Sequence, residues 1–219
     1  LCSLGYMDRI ISRCLQLKGQ FKNLDEFEAN NHVNLGLAFW SSSRLNEAIG
    51  EYDEAIKIYE KFSINDQEST RLQNELAMVY MNKGNALISL DKPNEAIVEY
   101  DKVIEIREEL INRWGQVELQ NELAMAYVNK GNALGNSSSL DKSIVEYNKA
   151  IGIYEELVNG QGRTDLANVL AMAYWGKGTI FFDLKNPRAA VVIFDDALNI
   201  WDECLQRNEV HILPNMFIV

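Results

Sequence analysis

The chain has 219 residues, 47% of them hydrophobic and 24% charged, the balance of a folded globular protein rather than a disordered one. Its 21 Lys and Arg against 32 Asp and Glu leave a net charge of −11, which opposes a polyanion, so no nucleic-acid partner is expected. With 13 Gly and 3 Pro the chain has too few turn formers for a many-stranded β fold, which favours long helices.

The first residues, Leu1 to Gly5, carry no basic segment followed by an apolar run, so no secretion signal is expected; the missing initiator Met reads as a piece of a longer chain. No run of 18 apolar residues occurs, so no membrane-spanning helix and no membrane partner are expected, and a cytoplasmic location follows. Residues 1–22 hold a helical stretch, Tyr6 to Leu15, expected to be a cap or the second helix of a truncated preceding repeat.

From residue 23 onward the chain repeats. LQNELAM occurs at 72–78 and again at 119–125, and NKGNAL at 82–87 and again at 129–134, a step of 47 residues. A further step reaches Leu170 to Tyr174 and Lys177-Gly178, and an earlier, more divergent copy places Asn46-Glu47-Ala48-Ile49 before Asn94-Glu95-Ala96-Ile97. Four units are expected, at about 23–64, 67–113, 116–160 and 163–208.

Each unit reads as two helices. Leu72, Leu76, Val79, Tyr80, Lys83 and Leu87 recur at spacings of three and four, and so do Ala96, Ile97, Tyr100, Val103, Ile104 and Leu110. Pro187 behind Asn186 fits a first helical position after an N-cap, and Gly115 and Gly162 fit helix stops. Residues 211–219 form an apolar tail, expected to cover the last helix pair, to begin a further segment or to dock on a neighbouring chain.

The register inside the units carries the resemblance. A glycine is followed twelve residues later by a small residue in all four: Gly36 and Ala48, Gly84 and Ala96, Gly131 and Ser143, Gly178 and Ala190. Tyr80, Tyr127 and Tyr174 stand four before their glycines, and Tyr52, Tyr100, Tyr147 and Phe194 stand sixteen after. This pattern resembles the tetratricopeptide repeats over roughly residues 23–207. The resemblance implies an all-α fold, a right-handed solenoid of stacked antiparallel helix pairs, with glycine and small residue at the helix crossing and aromatics filling the space between adjacent units. The period of 47 exceeds the family's 34, so a long-repeat variant with longer helices is expected. The family's Leu before the glycine is Lys83, Lys130 and Lys177 here; these are read as stems reaching solvent or a carboxylate, or as a row of ligand-binding cations.

No nucleophile elbow, HExxH or phosphate loop occurs, so the chain is not expected to be an enzyme and no cofactor is expected. Two histidines and the three cysteines Cys2, Cys14 and Cys204 show no metal-ligand spacing. The pairs Glu108-Glu109 and Glu155-Glu156 read as solvated helix faces.

What the resemblance implies about function is a groove lined by first-helix residues. Peptide-binding relatives that clamp a terminal carboxylate carry Lys three before the glycine and Asn just after it. Asn85 and Asn132 match, Leu37 and Thr179 stand there in the outer units, and Val33, Met81, Val128 and Trp175 replace the lysine. The expected groove is therefore Met81, Asn85, Ile88, Val128, Asn132, Trp175 and Thr179, with the asparagines bonding a peptide backbone or each other. Trp40, Gly135 and Phe182 lie one turn further. The expected partner is a neutral or basic protein or peptide segment, and the alternative is architectural self-association through the tail.

Overall fold

The computed structural model describes residues 25–62 and 69–206, with Arg9 and Ser12. The expected N-terminal helix, the apolar tail, Cys2, Cys14 and His211 lie outside the described residues. Among the described residues the chain is all-α: α1 (Asp25–Ser41), α2 (Leu45–Phe62), α3 (Ser69–Ser89), α4 (Pro93–Trp114), α5 (Gln120–Asn136), α6 (Leu140–Glu155), α7 (Ala167–Asp183) and α8 (Pro187–Gln206). None is long and apolar enough to cross a membrane.

The helices fall into two compact units, divided between Leu119 and Gln120. In the first, α1 packs on α2, α2 on α3 and α3 on α4; in the second, α5 packs on α6, α6 on α7 and α7 on α8. Short turns join the two helices of each pair, which makes them antiparallel neighbours.

The turns share one construction. Ser43, Asp91, Ser138 and Lys185 each adopt a left-handed conformation, with φ between 57° and 60°. In each case the next residue's N–H reaches back five residues, as from Arg44 to the Phe39 carbonyl and from Lys92 to that of Leu87, closing the helix with a Schellman motif. Asn186 then caps α8, its Oδ1 accepting from the Ala189 N–H at 3.2 Å ahead of Pro187 at the first helical position. Gly115, at φ 68°, ends α4. A single π turn, Glu156–Gly160, extends α6.

The core follows the glycine register. Ala48, Ala96, Ser143 and Ala190 are all buried, and Ser143 Oγ donates to the Gly131 carbonyl at 2.7 Å. The aromatics lie over the glycine of their own pair: a Cβ on Gly84 would meet the Tyr100 ring at 2.6 Å, and one on Gly178 the Phe194 ring at 2.6 Å, while Tyr147 also packs against Gly176 of the next pair and so fills space between adjacent pairs as well. The reason is antiparallel geometry, which returns a residue sixteen positions later to the level of the glycine, where the absent side chain leaves room for a ring.

Two of the three lysines settle into carboxylates. Lys83 Nζ lies 2.8 Å from both Asp53 on α2 and Glu99 on α4, and Lys130 Nζ 2.9 Å from Glu146 on α6. Glu99 and Glu146 are themselves buried, each holding a second lysine, Lys102 at 3.3 Å and Lys149 at 3.0 Å. In the first pair Leu35 stands at the lysine position, and Glu51, the counterpart of Glu99, is met instead by His32, its Nδ1 2.6 Å away. Ile193 stands where the fourth pair would need its glutamate, and Lys177 has no ion pair among the described residues.

Candidate functional site

In the second unit α5, α6 and α7 enclose a cleft of about 380 Å³ that gathers four of the expected residues, Val128, Asn132, Trp175 and Thr179. Two glycines shape its floor. A Cβ on Gly176 would strike the Tyr147 ring at 2.7 Å, and one on Gly135 would come 2.8 Å from Ile180 Cδ1. The other three expected residues sit on α3 in the first unit: Met81 is buried, while Asn85 and Ile88 are half-buried.

Trp175 is 37% exposed and held in place from behind. Its ring centroid lies 4.6 Å from that of Phe194 and 5.7 Å from that of Trp201, both on α8, and Trp201 Nε1 donates to Asn168 Oδ1 at 2.9 Å. An aromatic fixed in this way presents apolar area at little ordering cost. Beside it Met172 is 43% exposed. Thr179 Oγ1 donates to the Trp175 carbonyl at 3.1 Å.

The asparagines have partners within their own pairs that the sequence reading did not name. Asn85 Oδ1 accepts the Tyr100 hydroxyl at 2.8 Å, and Asn132 Oδ1 accepts the Tyr147 hydroxyl. Each tyrosine is a core residue whose hydroxyl needs an acceptor, and the asparagine next to the glycine is the side chain in reach. Burial pushes the Tyr147 phenol up to about 12, so the hydroxyl stays a donor. Asn132 is therefore held by its Oδ1, which leaves its amide NH2 as a donor on a residue that lines the cleft. Asp183 is the one carboxylate lining the cleft, and no basic residue joins it.

Sequence reasoning missed Met172, Asn136 and Asp183 here. The signal for the methionine was present: LQNELAM and its third copy put Met78, Met125 and Met172 at one repeat position, and all three are exposed. Phe182 and Trp40, placed one turn beyond the groove, are exposed but do not line this cleft.

Comparison with known proteins agrees with the fold. The family profile described as tetratricopeptide repeat matches residues 77–110 and 124–157. No curated protein matches the chain by sequence. Among solved structures, BtubC (BKLC) from P. vanneervenii superposes with a TM-score of 0.75 at 17% identity, over 98% of this chain and 80% of its own. The apo form of RapI gives 0.74 at 14% identity over 91% of this chain, which spans only half of RapI. YrrB, described as a TPR protein with an unusual peptide-binding site, gives 0.59 at 15% identity over 96% of this chain and 87% of its own.

Proposed function

We propose that the chain is a non-enzymatic protein-interaction module of the tetratricopeptide kind, a long-repeat variant with a period near 47, that holds a peptide or protein segment. The observation that carries this reading is the α5–α7 cleft, with a stacked, part-exposed Trp175 beside an oriented Asn132 amide. A bound segment would place an apolar side chain against Trp175, Met172 and Val128 and a backbone carbonyl on the Asn132 NH2. A cleft whose one charge is Asp183 suits a neutral or basic segment. YrrB's described peptide-binding site supports the class of ligand, on a similar fold. On α3, Met81, Asn85 and Ile88 belong to the same reading as the corresponding positions of the first unit.

Selection from a displayed random-peptide library tests it. Enriched peptides should bind at least about tenfold more weakly to Thr179→Arg, which fills the cleft mouth from an exposed position, and to Trp175→Ala. Failure to enrich any peptide, or binding indifferent to both substitutions, would overturn the reading.

Self-association, the architectural alternative, has an observation of its own. Val191, Leu198 and Leu205 recur every seven residues along α8 and are 57%, 44% and 46% exposed. A mass that rises with concentration and is held at monomer by Leu198→Glu would favour this reading; a monomer at high concentration would end it.

A further inference from the structure

Tyr80 in the first unit sits in a complete cation seat. Its hydroxyl donates to Glu60 at 2.5 Å, and Lys102 Nζ lies 4.5 Å above its ring centroid. Tyr127 in the second unit is covered in the same way by Lys149, at 4.9 Å. In both cases the lysine follows the tyrosine by 22 residues, and its ammonium also pairs with a buried glutamate. An aromatic face with carboxylates at its edge is a favourable place for an ammonium.

Tyr174 repeats the seat without the cation. Its hydroxyl donates to Glu155 at 2.5 Å, as Tyr80 does to Glu60. Yet the residue 22 positions on is Asp196, so an acid stands where the other two pairs supply a lysine. The result is a second cleft, of about 610 Å³, between α6 with its π turn, α7 and α8. Glu155, Asp196 and Glu203 line it, Val158, Leu170 and Ile200 form apolar wall, and none of the described residues that line it is a lysine or arginine. Neither Glu155 nor Asp196 pairs with a cation among the described residues, and Lys177, one turn along α7 from Tyr174, does not line the cleft. Burial, then the Glu155 hydrogen bond and the Glu155 and Asp196 charges, hold the Tyr174 phenol well above its ordinary pKa, so the ring stays neutral in a negative field. Among the described residues no group of three His, Cys, Asp or Glu side chains is placed to hold a metal ion.

We propose that this cleft receives a lysine side chain from a partner polypeptide, its ammonium over the Tyr174 ring between Glu155 and Asp196 and its methylene stem along Leu170 and Ile200. The partner completes in trans what Lys102 and Lys149 complete within the chain. The site is separate from the α5–α7 cleft, on different faces of α6 and α7, and the net charge of −11 steers a basic segment toward it.

The test uses short blocked peptides, one with a central lysine and one with acetyl-lysine, titrated into the 15N-labelled chain. The lysine peptide should shift amide signals around Tyr174, Glu155 and Asp196, saturably and less at high salt, while the acetyl-lysine peptide leaves them in place. Asp196→Lys restores the chain's own cation and should abolish the response while raising the Tm. Glu155→Gln with Asp196→Asn should weaken it at least about fivefold with the Tm held within a few degrees, and Thr179→Arg should leave it unchanged. Equal responses to the two peptides, shifts scattered over the acidic surface, or a response that survives Asp196→Lys would overturn the proposal.

Discussion

Gly84 lies directly beneath the ring of Tyr100, so that a methyl group at Gly84 would approach ring carbon Cε1 to 2.6 Å. A glycine in mid-helix sacrifices about 1 kcal/mol of helix propensity relative to alanine, and here the ring makes use of the space. Gly84→Ala should therefore destabilise by about 1–2 kcal/mol, overpacking outweighing the propensity gain. Gly50 and Gly152 are also mid-helix but have nothing within 4 Å of a built Cβ. Alanine at either should stabilise by up to about 1 kcal/mol. Denaturant unfolding of the three variants checks the change of sign.

Asn132 holds the Tyr147 hydroxyl, so its replacement tests two roles at once. Asn132→Ala strips a buried hydroxyl of its acceptor and should cost about 1–2 kcal/mol whatever it does to binding. Asn132→Asp keeps an acceptor for Tyr147 but removes the NH2 donor. It should unfold near the parent Tm and yet lose peptide affinity. Paired melting and binding curves for the two variants separate the roles.

The fold was legible because the repeats are near copies: Gly84 and Gly131, Ala96 and Ser143, Tyr100 and Tyr147 keep one register through two units. Four of seven expected site residues meet in one cleft for the same reason, since one repeat step carries Val128 to Trp175 and Asn132 to Thr179. The roles of the asparagines were not legible. Their partners lie fifteen residues away on another helix, and only the returning helix brings Tyr100 to Asn85. Glu155 was hidden likewise. It reads as one of two adjacent acids on a solvated face, until Tyr174 on the next helix donates to it.

Lys83 bridges three elements, with Asp53 and Glu99 each 2.8 Å from its ammonium. Burial alone would lower its pKa, but the hydrogen bonds to Asp53 and Glu99, with their charges, outweigh that and raise it. Lys83→Met removes the cation and leaves Glu99 with Lys102 only, for an expected loss of about 1–3 kcal/mol. Lys57→Met, at an exposed pair with Glu54, should leave stability almost unchanged. Chemical denaturation at neutral pH distinguishes the two.

Alkaline pH should weaken the fold through its tyrosines. Burial pushes the phenols of Tyr52 and Tyr147 up to about 12, and burial first, with nearby Glu75 and Glu26 charges, does the same for Tyr59. A folded pKa above the unfolded value of about 10 means that their contribution is complete below pH 10 and is lost as pH rises toward 12. The Tm should fall across this window, and tyrosinate absorbance should lag behind that of free tyrosine until unfolding, when it rises in step with the loss of helical signal. A tyrosinate titration centred near pH 10 in the folded chain would contradict this placement of the rings.

Lys185 closes α7 in a left-handed conformation, φ 58°, where a β-carbon crowds the backbone. Ser43, Asp91 and Ser138 do the same at the other three turns, so the Schellman geometry is kept in each pair without its usual glycine. Relief of the crowding at Lys185→Gly is worth about 1–2 kcal/mol and the greater freedom of the unfolded glycine offsets part of it, leaving a net gain of about 0.5–1 kcal/mol. Asp91→Gly should gain a similar amount in the first unit. Since the two positions are far apart in sequence and share no hydrogen bond, the gains should add in the double variant, which equilibrium unfolding of the single and double substitutions would show.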